Sequence, residues 1–366
     1  MTPEIIATLR DMLQVNPAWR YQSALDLVPS LDDVIAIKQD EDRGSLALNF
    51  LLRRLERRPE FPACSYSIGE INRLTEENSN TDFNKLGAVI VRDYSLTNRI
   101  LKIANSVIFD RGGEGVKIIS MAVSRLGLKL VRMICNGMLL FKEADNKNSD
   151  LKDILVASFV AGLIARHITA SIKRSISEEA FICALFHNLG LHLLVFYLPD
   201  EYEDIRVLID KGEGRQKAER AILSTTCASL GIAVAEKWNF PETIGKYMTH
   251  LPPGKLEKPN RDEDILCHAA NFANELCELF ITNKKSTDLL IEIDVFIARH
   301  EVIFDGGATR LAQLASATAE KFSDLAPGPG VNYNDSRFCK GLSNFSSAIE
   351  KALVEEAMLV ELVAVS

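Results

Sequence analysis

The sequence predicts an all-α fold, and three observations support that prediction. Almost every apolar stretch repeats at intervals of three and four residues, which is the spacing of one helix face. No alternation of strands and helices appears, so a parallel α/β sheet is not indicated. No internal repeat of about 20–50 residues is visible either, which argues against a solenoid.

The first predicted helix begins near Pro3, where a proline is tolerated because the first helical N–H needs no partner. Its apolar stripe consists of Ile5, Ile6, Leu9, Met12 and Leu13. Pro17 and Pro29 interrupt the pattern that follows. Residues 1–44 are therefore predicted to form a small helical extension rather than a domain.

A second helix is predicted from Ser45 through Leu55, ending before Pro59. A dense basic run lies beside its leucines and consists of Arg53, Arg54, Arg57 and Arg58. Charges at helical spacing usually mark the solvated face of an amphipathic helix. We therefore expect this basic run to be exposed.

The middle of the chain is predicted to be a series of helices bounded by Gly, Asn, Ser or Pro. They cover about 67–77, 83–90, 96–104, 118–127, 128–142 and 151–168. Ser177 can cap the next helix, whose first turn carries Glu178 and Glu179 near the positive end of the helix dipole. Further helices are predicted through 205–208, over 216–238, after Pro241 and over 265–280.

The C-terminal part is predicted to add two or three helices over about 287–322 and one over 348–365. The stretch LAPGPGVN at 325–332 is the clearest linker, because it combines two prolines with two glycines. The last helix is apolar over much of its surface and must bury that surface against something. Docking onto the core and a homodimer contact both remain open.

Composition excludes several classes of protein. The chain has 366 residues, a length that suggests two or three domains. Its residues are 47% hydrophobic and 25% charged, which are ordinary values for a globular protein. Its net charge of -8 argues against a nucleic-acid partner, because phosphate binding relies on excess Lys and Arg. No export signal and no run of about 18 apolar residues is present, so we expect no membrane partner.

Cysteine usage points to a reducing compartment. The seven cysteines are odd in number and show no C-x-x-C spacing, so neither a disulfide framework nor a zinc ribbon is indicated. A cytoplasmic location fits this usage best.

Most enzyme signatures are missing from the sequence. There is no G-x-G-x-x-G, P-loop, H-E-x-x-H, G-x-S-x-G or EF-hand loop. What remains is His187, followed by Asn188, within ALFHNLGLHLL. A His-Asp pair there would grip a divalent ion, whereas the neutral asparagine offers only a weak carbonyl ligand.

His187 therefore has two interpretations. It is either a core histidine that is hydrogen-bonded to a carbonyl, or a metal ligand. Cys183 lies four residues earlier on the same helical face and could join it around a soft metal, but no second pair completes a tetrahedron.

Asn105 and Ser106 could close a helix or shape a recognition surface. Trp238, before Pro241, is most simply an anchor of the core.

Five segments occur in an order and spacing that resemble the HDOD domain, a degenerate relative of the HD phosphohydrolases. They are FPACSYSIGEINRL, KLGAVIVRDYSLTNRILKIANSVIF, IISMAVSRLG, EEAFICALFHNLGLHLL and LGIAVAEKWNFP. The resemblance runs over roughly residues 55–280. It implies an all-helical, HD-like bundle and a bacterial signalling output module, with an HDOD-like domain over 45–282 and a C-terminal extension over 283–366.

The resemblance also implies where metal ligands of active HD enzymes would fall. The first histidine matches Ala157, just before Ser158, and the His-Asp pair matches His187 and Asn188. A further histidine falls near Cys227, the last aspartate matches Asn271, and His250 lies where these domains often end with histidine. Only His187 and His250 survive, as vestigial positions, so we expect no metal and no cofactor.

Together these residues predict a non-catalytic signal-transduction module that binds a partner protein or a small ligand and relays a conformational state. Ser158, His187, Asn188, Cys227 and Asn271 are the candidate pocket residues. The alternative is a divergent metal-dependent phosphohydrolase acting on a nucleotide or a cyclic dinucleotide.

Overall fold

In the computed structural model, the described residues are 3–39, 43–57, 119–128, 149–237, 242–281, 286–325 and 336–365, with isolated positions between 71 and 131. These residues contain α-helices and short 3-10 turns, and no strand occurs among them. The predicted all-α fold is confirmed. Asn105, Ser106, Trp238 and Pro241 lie outside the described residues.

Fifteen helices are resolved in the described part of the chain. The first eight are α1 Pro3–Leu13, α2 Ala24–Gln39, α3 Arg43–Glu56, α4 Ile119–Leu126, α5 Ser149–Ile172, α6 Ser177–Phe186, α7 Leu189–Tyr197 and α8 Pro199–Asp210. The others are α9 Arg215–Leu223, α10 Cys227–Lys237, α11 Glu242–Tyr247, α12 Asp262–Phe280, α13 Ser286–His300, α14 Ala308–Leu325 and α15 Arg337–Val365.

The chain forms two compact units, each assembled from segments that are distant in sequence. The first unit combines residues 1–143 with 188–245, and the second combines 144–187 with 246–366. The chain therefore leaves the second unit directly after His187 and returns to it after Gly245.

The second unit is built around α5, which packs against α6, α12, α14 and α15. Gly162 lets α5 approach α6 closely, because a Cβ there would meet the ring of Phe181 at 2.9 Å. The first half of α15 is docked on this core through Phe338, Phe345 and Ile349, all nearly or fully buried. Within the terminal helix predicted over 348–365, Ile349 and Ala352 are buried.

Two windows, Asp153–Ile172 and Glu179–Tyr197, are long and apolar enough to span a membrane by length and composition alone. Inside the protein, 61% of the first window and 83% of the second are buried. Core helices of this length and composition pass the same test, so these windows are weak evidence for a membrane span.

The first unit has an apolar centre in which α7 packs on α10, and α10 also contacts α3. Gly190 makes the closest approach there, because a Cβ at that position would overlap the carbonyl oxygen of Cys227. Leu193 and Leu230 are completely buried beside this contact region. The glycine after His187-Asn188 therefore serves helix packing.

The polar side of α1, and not its apolar stripe, faces the interior of the first unit. Glu4, Thr8 and Asp11 are buried. Leu9 and Met12 of the predicted stripe are 43% and 45% exposed, and Leu13 is 78% exposed. An amphipathic stripe shows which residues share a face, but the neighbours decide which face is buried.

The predicted exposure of the basic run is wrong for Arg54, which is 1% exposed. Its Nε and Nη2 donate to the two carboxylate oxygens of Asp11, each at 2.9 Å, and Nη2 lies 3.0 Å from Glu201 Oε1. Arg57 is half-buried and also pairs with Asp11 at 3.0 Å. The two buried carboxylates explain why this arginine is inside.

Several helix boundaries differ from prediction, and two of them have a clear local cause or consequence. The predicted helix over 216–238 is two helices, because Ser224 adopts a left-handed conformation with φ 58° that ends α9. The Thr226 hydroxyl then accepts the Ser229 N–H at 3.1 Å, at the start of α10. Pro29 does not end a helix and lies inside α2.

Candidate functional site

His187 lies at the point where α6 ends, and it is 3% exposed. Its Nδ1–H donates to the carbonyl oxygen of Tyr247 at 2.6 Å. This bond places the proton on Nδ1, so the neutral ring carries its lone pair on Nε2. The ring of His250 stands edge-on to the His187 ring, with centroids 5.0 Å apart.

The pKa of His187 is lowered to about 4, mainly by burial and in addition by the nearby His250, while the Tyr247 carbonyl and Glu275 act in the opposite direction. The imidazole is therefore neutral at pH 7. His250 itself is exposed, so the pair has one buried and one solvent-facing member.

Asn271 on α12 holds the chain segment that carries His250. It is completely buried, and both polar atoms of its side-chain amide form hydrogen bonds with backbone groups. Nδ2 donates to the carbonyls of Thr249 at 3.2 Å and Cys267 at 3.0 Å, while Oδ1 accepts the N–H of Leu251 at 3.0 Å. We call His187, Asn271 and the segment 247–251 the 247–251 clamp.

Arg299 extends this hold beyond residue 251, and the sequence reasoning missed it. Its guanidinium donates to the carbonyls of Leu251, Pro252 and Gly254 at 3.3, 2.7 and 2.8 Å. It also donates to both carboxylate oxygens of Glu275 at 3.0 and 3.2 Å. An arginine at a helix end gives no sequence signal that distinguishes it from an ordinary dipole partner.

Glu275 is the centre of this second set of contacts. It also accepts a hydrogen bond from Nε2–H of the buried His300 at 2.8 Å. Burial alone would raise the pKa of Glu275, but the hydrogen bonds from His300 and Arg299 hold it below its usual value. Glu275 is therefore a carboxylate that orients Arg299.

The other candidate residues are divided between the two units. Ser158 lies on α5 of the second unit and is 2% exposed. The neighbouring Ala157 accepts a long hydrogen bond from the Cys277 thiol at its carbonyl, 3.5 Å away. His187, His250 and Asn271 belong to the same unit. The structure thus brings together His187, His250 and Asn271.

Asn188 and Cys227 belong to the first unit. The N–H of Cys227 donates to Glu219 Oε2 at 3.0 Å. Burial raises the pKa of the Cys227 thiol well above its usual value, and Glu219 raises it further. The thiol is therefore protonated at neutral pH and is a poor metal ligand.

These residues do not fit a divalent metal site. His187 has the tautomer of a typical ligand, because its Nδ1–H is held by a carbonyl and Nε2 can donate electrons. Ala157 has no donor side chain, and the amide of Asn271 is used on the backbone. Among the described residues, no group of three His, Cys, Asp or Glu side chains could hold a metal ion.

The chain was compared with protein families, with individual proteins and with solved structures. The HDOD domain family matches residues 61–251, just over half of the chain. An uncharacterised protein of Treponema pallidum (strain Nichols) is 24% identical over 197 residues, which cover 52% of this chain. The match spans only 37% of that relative.

Among solved structures, a Shewanella amazonensis SB2B protein provisionally named a phosphohydrolase has a TM-score of 0.52 at 20% identity. That match covers 81% of this chain and 98% of the other. An HDOD domain protein of unknown function from Geobacter sulfurreducens has a TM-score of 0.48 at 19% identity, covering 71% and 91%.

At such identities the Shewanella likeness concerns the fold alone, and it agrees with the all-α architecture described above. The family match over 61–251 includes the His187 region, and the five sequence segments occur within or beside it. The chain therefore belongs to the HDOD family.

Proposed function

We propose that this protein is a non-catalytic signal-transduction module that binds a partner protein or a small ligand and relays a conformational state. The observation that carries the proposal is the use of Asn271. Both ends of its amide are occupied by backbone groups of residues 249, 251 and 267. A position that the family resemblance assigns to a metal-binding aspartate is here a structural clamp.

The relay follows from how the segment after α11 is held. His187 fixes residue 247, Asn271 fixes residues 249 and 251, and Arg299 fixes residues 251, 252 and 254. A shift of α12 or α13 would therefore move this segment and the exposed His250. Packed elements with a few specific bonds suit such a relay, because they can change between discrete arrangements.

The alternative is a phosphohydrolase, which the name of the Shewanella protein suggests. Hydrolysis of a phosphate ester by an HD-type site needs a metal to polarise the phosphoryl oxygen and to lower the pKa of bound water. A single histidine of the right tautomer, with amide and alanine neighbours, does not supply the ligands for that ion. This chemistry favours the non-catalytic function.

Elemental analysis of the full-length protein, purified without chelator, combined with a phosphate-release screen tests the proposal. The screen should include nucleotides, cyclic dinucleotides and p-nitrophenyl phosphate. We expect Mn, Fe and Mg well below one ion per chain and no phosphate release above buffer. Stoichiometric metal with turnover that His187→Ala abolishes would overturn the proposal.

The binding part needs its own test. The full chain and a His250→Asp variant should be used to capture interacting proteins from the native cell. We expect a signalling protein to be recovered with the wild type and to be reduced with the variant. Equal capture by both would show that the segment bearing His250 is not the recognition surface.

A further inference from the structure

We propose that the outward face of α1 and α2 is the contact surface of a homodimer of this chain. This α1–α2 face consists of residues of the two helices and one residue between them, all 36–93% exposed: Ile6, Leu9, Met12 and Leu13 of α1, Leu25, Val28 and Leu31 of α2, and Val15 between the helices. It lies in the first unit and does not involve the 247–251 clamp. The inference therefore goes beyond the proposed function and stands or falls separately from it.

The orientation of α1 is determined by its polar side. Asp11 is committed to Arg54 by two hydrogen bonds of 2.9 Å, and Glu4 accepts a hydrogen bond from the Ser224 hydroxyl. Rotating the apolar stripe inward would leave Arg54 buried without that carboxylate, which is strongly unfavourable. The helix therefore cannot bury Leu9 and Met12 in its own unit.

The area of the face fits a dimer. Each helix carries one stripe, and α1 contacts α2. From their exposed fractions, the eight residues present on the order of 800 Å² of accessible surface. A stable interface buries about 800 Å² on each partner, whereas the largest apolar patch of a typical monomer is roughly 300–600 Å².

The pattern of the apolar stripe favours a second copy over an unlike protein. The eight side chains are uncharged, and Arg10, the basic residue of α1, already pairs with Asp204 of its own chain at 2.6 Å. Asp26, which is exposed between Leu25 and Val28, accepts the N–H of Ser23 of its own chain at 2.8 Å. A two-fold axis near Leu9 would place Ile6 opposite Leu13 of the second copy, so the stripe is self-complementary.

The test is sedimentation velocity of the full chain from about 1 to about 100 µM, which covers the range of ordinary dimer affinities. We expect a concentration-dependent dimer for the wild type. Leu9→Asp places a carboxylate near the axis in both copies and should weaken dimerisation by at least about 100-fold. Because Leu9 is 43% exposed, the variant should keep the wild-type far-UV circular dichroism and urea midpoint.

Two further variants keep the result unambiguous. Met12→Asp, at a position 45% exposed, should also dissociate the dimer, and it replaces Leu9→Asp should that variant unfold. Ile291→Asp introduces the same charge at an apolar residue 63% exposed on α13 of the second unit and should leave the dimer intact.

Three outcomes would overturn the proposal. One is a wild-type monomer throughout the concentration range, including a monomer that binds a different protein through Leu9. Another is a dimer that both Leu9→Asp and Met12→Asp leave intact. The third is a dimer that Ile291→Asp dissociates and Leu9→Asp does not.

Discussion

His187 and Asn271 illustrate how buried polar side chains can be used on the backbone of a neighbouring segment. Each uses its polar atoms on the backbone of residues 247–251, at distances of 2.6–3.2 Å. A buried polar group without such a partner would destabilise the fold, so these contacts explain why polar residues are tolerated there.

The neutral state of His187 makes the stability of the protein depend on pH. Its pKa is about 4 in the folded protein, against about 6.5 for an unfolded chain, so only the unfolded state takes up the proton between these values. The stabilisation is therefore complete above pH 6.5 and is lost as the pH falls towards 4. By pH 4.5 the loss attributable to His187 should be about 2–3 kcal/mol.

Urea unfolding of the wild type and His187→Gln at pH 7.5, 5.5 and 4.5 measures this effect. Carboxylates titrate in both proteins and cancel in the comparison. The gap between the two free energies of unfolding should shrink as the pH falls. A gap that is constant with pH would contradict a depressed His187 pKa.

Asn271→Asp should destabilise the protein rather than restore a metal site. The carboxylate would face the carbonyl oxygens of Thr249 and Cys267 in place of the donor that they now receive. We expect a loss of about 2–4 kcal/mol, since a buried charge and two unpaired carbonyls result.

Thermal unfolding with and without Mn²⁺ tests this expectation. Asn274→Asp is the matched control, because Asn274 is also buried and donates to two carbonyls but does not hold segment 247–251. Both melting temperatures should fall and should be insensitive to Mn²⁺. A manganese-dependent rise in Asn271→Asp alone would mean that a latent site exists.

Among the helices, α1 and α3 show most clearly how burial depends on pairing. Asp11, Arg54 and Glu201 come from three helices and are at most 4% exposed. Burial would by itself lower the pKa of Arg54, but Glu201 and Asp11 raise it above its usual value, so the guanidinium stays charged. The amphipathic patterns of α1 and α3 are real, yet their polar sides face each other.

Removing the charge of Arg54 should therefore be costly. Arg54→Met would remove the buried cation from Asp11 and Glu201, leaving Asp11 its contact with the half-buried Arg57. We expect a loss of about 3–5 kcal/mol in the free energy of unfolding. Arg53→Met is the control, because Arg53 is the exposed neighbour on the same helix and should change stability by less than about 0.5 kcal/mol. Urea denaturation measures both, and equal losses would contradict the burial of Arg54.

At the scale of the whole molecule, the chain crosses between its two units at residues 143–144, 187–188 and 245–246. The HDOD match over 61–251 spans all three crossings. The family region therefore contributes to both units, and the C-terminal helices α13, α14 and α15 belong to the second. The predicted domain boundaries at 44–45 and 282–283 stay a prediction.

The net charge of -8 leads to an expectation for the whole protein. We expect no saturable binding to a random DNA duplex at about 150 mM salt, because the backbone phosphates would be repelled on average. Fluorescence anisotropy of a labelled duplex provides the measurement. Saturable binding that weakens steeply with added salt would reveal a local basic surface.

The sequence by itself determined the helical fold and the family, because helix periodicity and motif order are properties of neighbouring residues. Only the tertiary structure decided that α1 turns its apolar stripe outward and that Arg54 is buried. Arg54 lies 43 residues from Asp11, so no local pattern reports their contact. The contacts of Arg299 could not be predicted for the same reason, because the carbonyls to which it donates lie 45–48 residues away in sequence.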